Sequence, residues 1–435
     1  MQTTRTAQAA AVAVALAGLA AAPARAADPP QRLGGSLVRS LAVAPDGAVH
    51  VGMFGFGTGI APAFAVASAA PGAAFAASRV IIAPDDADRL AEAGTAASGE
   101  TVAVALRMRG GHRRARATVV APDGSRTPLR TISFNAHSAR QPHLAVAPSG
   151  EAVAAWLQYD GARWRVAAAL RPAGAARFDR PALLSGPVAR STFVAVAIGA
   201  GGDALVSWQA QTTLYAALRP AADAFGAPQA LAARAVSWDA EMAPDGTGAV
   251  AIVGESRGGA VLSLAARAPG AARLGAPAEL DRGDLNSQTI EVLDAAAADG
   301  GHVGVAWGTS DAARFALGVY EGRAGAAPVQ TLETGVASHA LNGPRLALGA
   351  GGRAVLAWGA PAPQRPGDPT ARDRLTVVER PAGGAFGAPQ ALGDELQSIH
   401  VAAVAVLADG ALITWDGFDT EVFGREGHQA LAARV

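Results

Sequence analysis

A ring of eight four-stranded antiparallel β-sheets is the fold class this sequence predicts. Three observations predict it: a phrase that recurs about every fifty residues, period-two alternation within each phrase, and ends of the chain that complete one another. The 435 residues are half apolar and 17% charged, with 52 glycines and 27 prolines. Such a length can bury one large core or two ordinary ones.

The recurring phrase is an alternating apolar run, a small turn with glycine, and a second run often ending in tryptophan. It reads LAVAPDGAVHVGM (41–53), AASGETVAVAL (96–106), LAVAPSGEAVAAW (144–156) and VAVAIGAGGDALVSW (194–208). It continues as EMAPDGTGAVAIV (241–253), AAAADGGHVGVAW (295–307), LALGAGGRAVLAW (346–358) and VAVLADGALITW (404–415). The turn glycines, Gly47, Gly99, Gly150, Gly202, Gly246, Gly301, Gly352 and Gly410, lie 52, 51, 52, 44, 55, 51 and 58 residues apart. Trp156, Trp208, Trp307 and Trp358 each follow their glycine by six residues, and Trp415 follows by five.

A second phrase follows each first one: an alternating run, Pro-Ala-Gly or similar, then Phe-x-x-Pro-x-x-Leu. YAALRPAADAFGAPQAL (215–231) and VVERPAGGAFGAPQAL (377–392) carry it fully. LAARAPGAARLGAPAEL (264–280) and AAALRPAGAARFDRPALL (167–184) vary it, and ATVVAPDGSRTPLRTI (117–132) loosens it. Alternation bounded by Gly and Pro marks strands, not helices. Proline in the fourth run suits an edge strand. Four strands per unit of this length stack as a ring or array.

The eighth unit ends at Val435 after three runs, 402–408, 411–416 and 428–435. PPQRLGGSLVRS (29–40) precedes the first unit in the place that APQALAARAVS (227–237) holds later. An N-terminal strand is therefore expected to close the last sheet. Seven units is the alternative if the second merges with a neighbour. An open solenoid or a pair of sandwiches leaves the complementary ends unexplained.

Before that strand, residues 1–26 read as a signal peptide. Arg5 begins it, Ala9 to Ala22 is apolar, and Ala24-Arg25-Ala26 is a small-x-small cleavage pattern. The apolar run is too short for a comfortable membrane span. Cleavage would leave residues 27–435 as a single domain with 34 basic and 36 acidic residues. The mature protein is expected to be secreted or extracytoplasmic and monomeric, with no membrane span.

Composition excludes several chemistries. Without cysteine there is no disulfide, thiolate metal site or cysteine nucleophile. All 36 basic residues are arginine, so there is no Schiff-base lysine and no Walker loop. Zero formal net charge argues against a general nucleic-acid partner. No cofactor and no metal is expected.

The repeats resemble those of the β-propeller superfamily, in particular secreted alanine-rich propellers of high-GC bacteria, mostly without an assigned activity. The Ala-Pro-Asp-Gly turns at 44–47, 121–124 and 243–246 resemble the WD40-like TolB repeat. The chain departs from sialidase repeats, which want Ser-x-Asp-x-Gly-x-x-Trp, and from kelch repeats, whose Gly-Gly follows four apolar residues. This resemblance implies small inner-strand residues near the axis and Trp side chains wedged between neighbouring blades. By fold analogy it places a ligand on the face formed by fourth-to-first and second-to-third strand connections.

Those connections are polar and hold all three asparagines, Asn135, Asn286 and Asn342. The candidate ligand-binding residues are Arg140, His143, Arg190, Trp238, Asp239, Asn286, Gln288, His339, Asn342, Arg345, Gln397 and His400. His143, His339 and His400 would need to converge on the axis to hold a metal, and blades three and seven are nearly opposite. The run Arg107-Met108-Arg109-Gly110-Gly111-His112-Arg113-Arg114 adds a basic rim able to grip an anion.

With no repeated nucleophile or acid pair, the expected function is non-catalytic binding of a protein or glycan at the polar face. A sialidase-like glycoside hydrolase or lyase is the alternative. It would draw its acids from Asp239, Glu241, Asp284, Glu291 and Glu395, with Arg140, Arg190 and Arg345 as anion clamps. Tyr159, Tyr215 and Tyr320, the only tyrosines, fall outside the inner connections, which counts against a sialidase nucleophile.

Overall fold

A computed structural model describes residues 29–33, 37–44, 46–55, 63–82, 89–190, 192–221, 223–256, 259–283, 289–310, 314–322, 330–336, 342–362, 372–419 and 428–435. The expected signal segment lies outside them. The described residues form an eight-bladed β-propeller, eight sheets of four antiparallel strands. Blade 1 comprises Leu37–Val43, Val49–Gly55, Ala63–Ala69 and Arg79–Ile82, from the axis outward. The looser second repeat is a full blade, its outer strand reduced to Arg130–Thr131.

Blade 8 contains Ser398–Leu407, Gly410–Phe418 and His428–Arg434, and Gln31–Arg32 completes it from the other end of the chain. Gln31 pairs with Ala432 and Arg32 with Leu431. Leu33 then donates its N–H to the Ala430 carbonyl at 3.0 Å and buries its side chain beside Met53 and Leu412. The closing strand is thus the first part of the expected 29–40 segment. Leu37–Val43 already belongs to the innermost strand of blade 1.

The turn glycines explain the spacing of the tryptophans. Gly47, Gly99, Gly150, Gly202, Gly246, Gly301 and Gly352 all have φ between 80° and 91°, which a side chain resists. Each closes a three-residue hairpin loop. In blade 8, Leu407 pairs directly with Gly410, so the loop is one residue shorter and Trp415 comes one residue sooner. Trp415 therefore occupies the same sheet position as the other four tryptophans.

That position fills the interface with the preceding blade. Trp156 packs on Val102, Val104 and Ala115, and Trp307 on Ala249 and Ala251. Trp358 meets Ala306 and Val319, and Trp415 meets Val355 and Ala357. All five are almost wholly buried. A large aromatic opposite alanine is interlocking of unequal sizes, which keeps the wedge between sheets dense. Met53, Ala105 and Ile252 hold the place in the blades without tryptophan.

A second device recurs where the third strand ends. The Arg171 guanidinium donates to the Gly150 carbonyl at 2.7 Å and pairs with Glu100 of the preceding blade at 2.7 Å. Arg219 does the same with Gly202 and Glu151, and Arg267 with Gly246 and Asp203. Each acid directly follows the turn glycine of its own blade. A planar fork with five donors can serve a turn, a loop and a neighbouring carboxylate together, which an ammonium cannot.

Candidate functional site

Seven residues before each turn glycine, the inner strands carry Ser40, Glu92, His143, Ala195, Asp239, Asp294, Arg345 and Ala403. One level deeper the series is Ala42, Gly94, Ala145, Ala197, Glu241, Ala296, Ala347 and Ala405. Polar groups at the first level meet across blades: His143 Nδ1 lies 2.8 Å from Glu92 Oε1, and Arg345 Nη1 donates to Asp294 Oδ1 at 2.8 Å. At the second level Glu241 stands alone in a collar of alanine and glycine.

The inner strand of a blade has one unpaired edge, and the acids of the first level cover it. Glu92 accepts the Leu144 N–H at 2.5 Å, Asp239 the Ala295 N–H at 2.8 Å and Asp294 the Leu346 N–H at 2.7 Å. In each case the carboxylate belongs to one blade and the N–H to the next. Asp416 completes the ring seam the same way, accepting from Val38 at 2.7 Å. These acids therefore hold blades together, whatever else they do.

Asp239, Glu241, Asp294 and Arg345 line a channel cavity of about 590 Å³. Burial is the first cause that raises all three carboxyls. Arg345 opposes the rise at Asp239 and Asp294, and Asp239 adds to it at Asp294. Glu241 is pushed up to about 8, by enclosure within the ring first and then by Asp239 and Asp294. Its side chain still meets channel water. The three acids share too little positive charge to ionise independently, so their protons come off as a coupled set.

A different cluster occupies the mouth over blades 2 to 4. His112, His137, Tyr159 and Trp164 form a ladder with successive ring centroids 6.3, 5.9 and 5.3 Å apart. Arg140 lies over Trp164 at 5.8 Å, a cation–π contact. Gly161 permits the close turn between Tyr159 and Trp164: its φ is 103°, and a Cβ there would stand 3.0 Å from His137 Nε2. The strand bulges between Arg140 and His143, where Gln141 adopts φ 44°. Bulges of this kind re-aim side chains beside functional sites.

Arg113 and Arg190 lie within electrostatic reach of Arg140. Desolvation first, then their like charges, lower its pKa. No carboxylate pairs with any of the three among the described residues. Phe193, three residues beyond Arg190 in the chain, is two-thirds exposed at 67%.

The sequence candidates thus divide between two clusters. Arg140 and Arg190 belong to the mouth, and Asp239 and Arg345 to the channel. His143 is engaged by Glu92, and His400 lies 3.7 Å from Asp416. Trp238 donates its Nε1–H to Ser207 Oγ at 3.0 Å, between blades 4 and 5. Gln397 sits half-buried between two strands of blades 7 and 8. Asn286, Gln288 and His339, and the side chain of Asn342, lie outside the described residues, as do Asp284 and the side chain of Glu291. Among the described residues no three His, Asp or Glu side chains have metal-holding geometry. Glu92 and Asp294 were absent from the candidates, although their fixed distance from the turn glycine marks them.

No protein-family model matches the chain, and no curated protein matches it in sequence. Among solved structures it is similar to a polysaccharide lyase, an ulvan lyase, at 9% identity and TM-score 0.43, over 84% of this chain and 95% of that one. A prolyl endopeptidase matches at 12% and 0.48, over 90% and 54%. The NanB sialidase of Streptococcus pneumoniae matches at 10% and 0.37, over 93% and 70%. Likeness at this level concerns the propeller shape and carries no chemistry across.

Proposed function

We propose that this chain is a secreted, monomeric, non-catalytic propeller that binds a glycan at its mouth over blades 2 to 4. The observation that carries the reading is the ladder ending at Trp164 with Arg140 above it. Aromatic rings offer flat apolar area at little entropic cost, and the adjoining guanidiniums bring unpaired donors. The first-level acids of the inner strands are already committed to inter-blade N–H groups, so the mouth has spare binding capacity where the channel has little.

Glycan-array screening followed by calorimetry tests it. Trp164→Ala and Arg140→Gln should each weaken binding at least about tenfold, the loss of one good contact. Glycan binding unchanged in both variants, or no glycan bound at all, refutes the reading.

One observation favours a hydrolase or lyase instead. Glu241 holds its proton to about pH 8, which suits a general acid at neutral pH. Turnover of any glycan by the purified protein, abolished in Glu241→Gln, would replace binding with catalysis.

A further inference from the structure

Blade 2 carries seven arginines between Thr101 and Ser133 and a single acid, Asp123, in a protein whose formal net charge is zero. Four arginines of this region and its neighbour line one groove. Arg109, Arg116 and Arg130 of blade 2 face Arg177 of the loop that follows the third strand of blade 3, around a cavity of about 430 Å³. No acidic residue lines it. Thr118, Thr127, Thr131 and Asn135 supply further polar groups.

Among the described residues the charges in this groove are uncompensated. Desolvation lowers the Arg116 pKa, and then the like charges of Arg107 and Arg109 lower it further. Arg116 is anchored through Nη2 on the Leu129 carbonyl, while its buried Nε has no acceptor. Among the described residues none of Arg109, Arg130 and Arg177 has an ion-pair partner. Holding four guanidiniums together without a counter-charge is unfavourable unless an anion completes the set.

We propose that this groove between blades 2 and 3 is a binding site for an acidic polysaccharide, its carboxylates or sulfates gripped by the four arginines. This goes beyond the mouth reading and does not depend on it. Along the third strand of blade 2 the lining runs from Arg116 to Val119, about 10 Å, and a space of about 430 Å³ ringed by four guanidiniums suits a run of charged sugars better than a single ion. Its apolar floor is Ala117, Val119, Ile132 and Phe178. Phe178 is buried in the blade 2–3 core, so the groove has no exposed ring on which nucleic-acid bases could stack.

The test uses the full chain and a heparin octasaccharide, with oligogalacturonate, a neutral oligosaccharide and a single-stranded DNA decamer as further probes. Arg130 and Arg177 are exposed and outside the inter-blade staples, so R130Q/R177Q retains the fold, which a thermal melt verifies. We expect at least one of the two acidic oligosaccharides to bind, more weakly as salt rises. Its affinity should fall about a hundredfold in R130Q/R177Q, near tenfold per charge-assisted contact, and hold in R113Q/R190Q at the mouth. The proposal is overturned if neither acidic probe binds, if R130Q/R177Q binds as the parent does, or if the neutral oligosaccharide binds equally well. DNA bound as tightly and lost in the same variant would assign the groove to nucleic acid and overturn it as well.

Discussion

Replacing Glu241 by glutamine should stabilise this protein, and the gain should depend on pH. The carboxyl ordinarily titrates at 4.5 and in the ring at about 8. Below the lower value it is protonated folded or unfolded, and burial costs nothing extra. Between the two values the folded protein keeps a proton that the unfolded chain has released, so stability falls as pH rises. Above the upper value the loss is complete. In a dry site that gap would be worth about 5 kcal/mol, and water in the channel reduces it to roughly 2 kcal/mol.

Glutamine has the same shape and no titration, so the advantage of Glu241→Gln should be near zero at about pH 4.5 and grow to its full value by about pH 8. For a chain of this size, 2 kcal/mol corresponds to a Tm difference of roughly 2–3 °C. Scanning calorimetry of both proteins at several pH values reads it directly. A Tm difference that is flat with pH, or that favours the parent as pH rises, would refute the assignment of Glu241 as an uncompensated acid in the channel.

Two further outcomes test how the ring is held. Arg267→Met removes the fork shared by Gly246, Ala271 and Asp203, and should cost about 3–5 kcal/mol in urea unfolding because Asp203 is left half-buried without its partner. Arg267→Met together with Asp203→Asn should recover part of that loss. Leu33→Ala empties a buried position at the seam and should cost about 2–5 kcal/mol, with faster amide exchange concentrated at residues 430–432.

Much of the fold is legible in the chain because a propeller repeats local rules. Glycine at a left-handed turn, alternation on either side and tryptophan at a constant offset are each written within about fifteen residues, and eight copies remove the ambiguity of one. The site is less legible because its members meet only across blades. His143 and Glu92 are 51 residues apart in sequence and 2.8 Å apart in space. Arg345 and Asp294 repeat that relation. These pairs occupy equivalent positions in successive repeats, and no motif within a single repeat contains both members.

The amino-acid sequence by itself determined the four-stranded repeat, the strand order within it and closure by the leading segment, since these follow from short-range pattern and from what the last repeat lacks. That the loose second repeat is a full blade, making eight and not seven, the structure decided. Only the tertiary structure decided which charges are neutralised. Arg171, Arg219 and Arg267 recur at one position of the second phrase, yet neither that position nor the neighbours of Arg109, Arg130 and Arg177 shows which arginines meet an acid. The first three end third strands beside a neighbour's acid, and the others face each other across a groove lined by none. Coulomb energy depends on distance through space, and the ring closes that distance between residues that the chain keeps far apart.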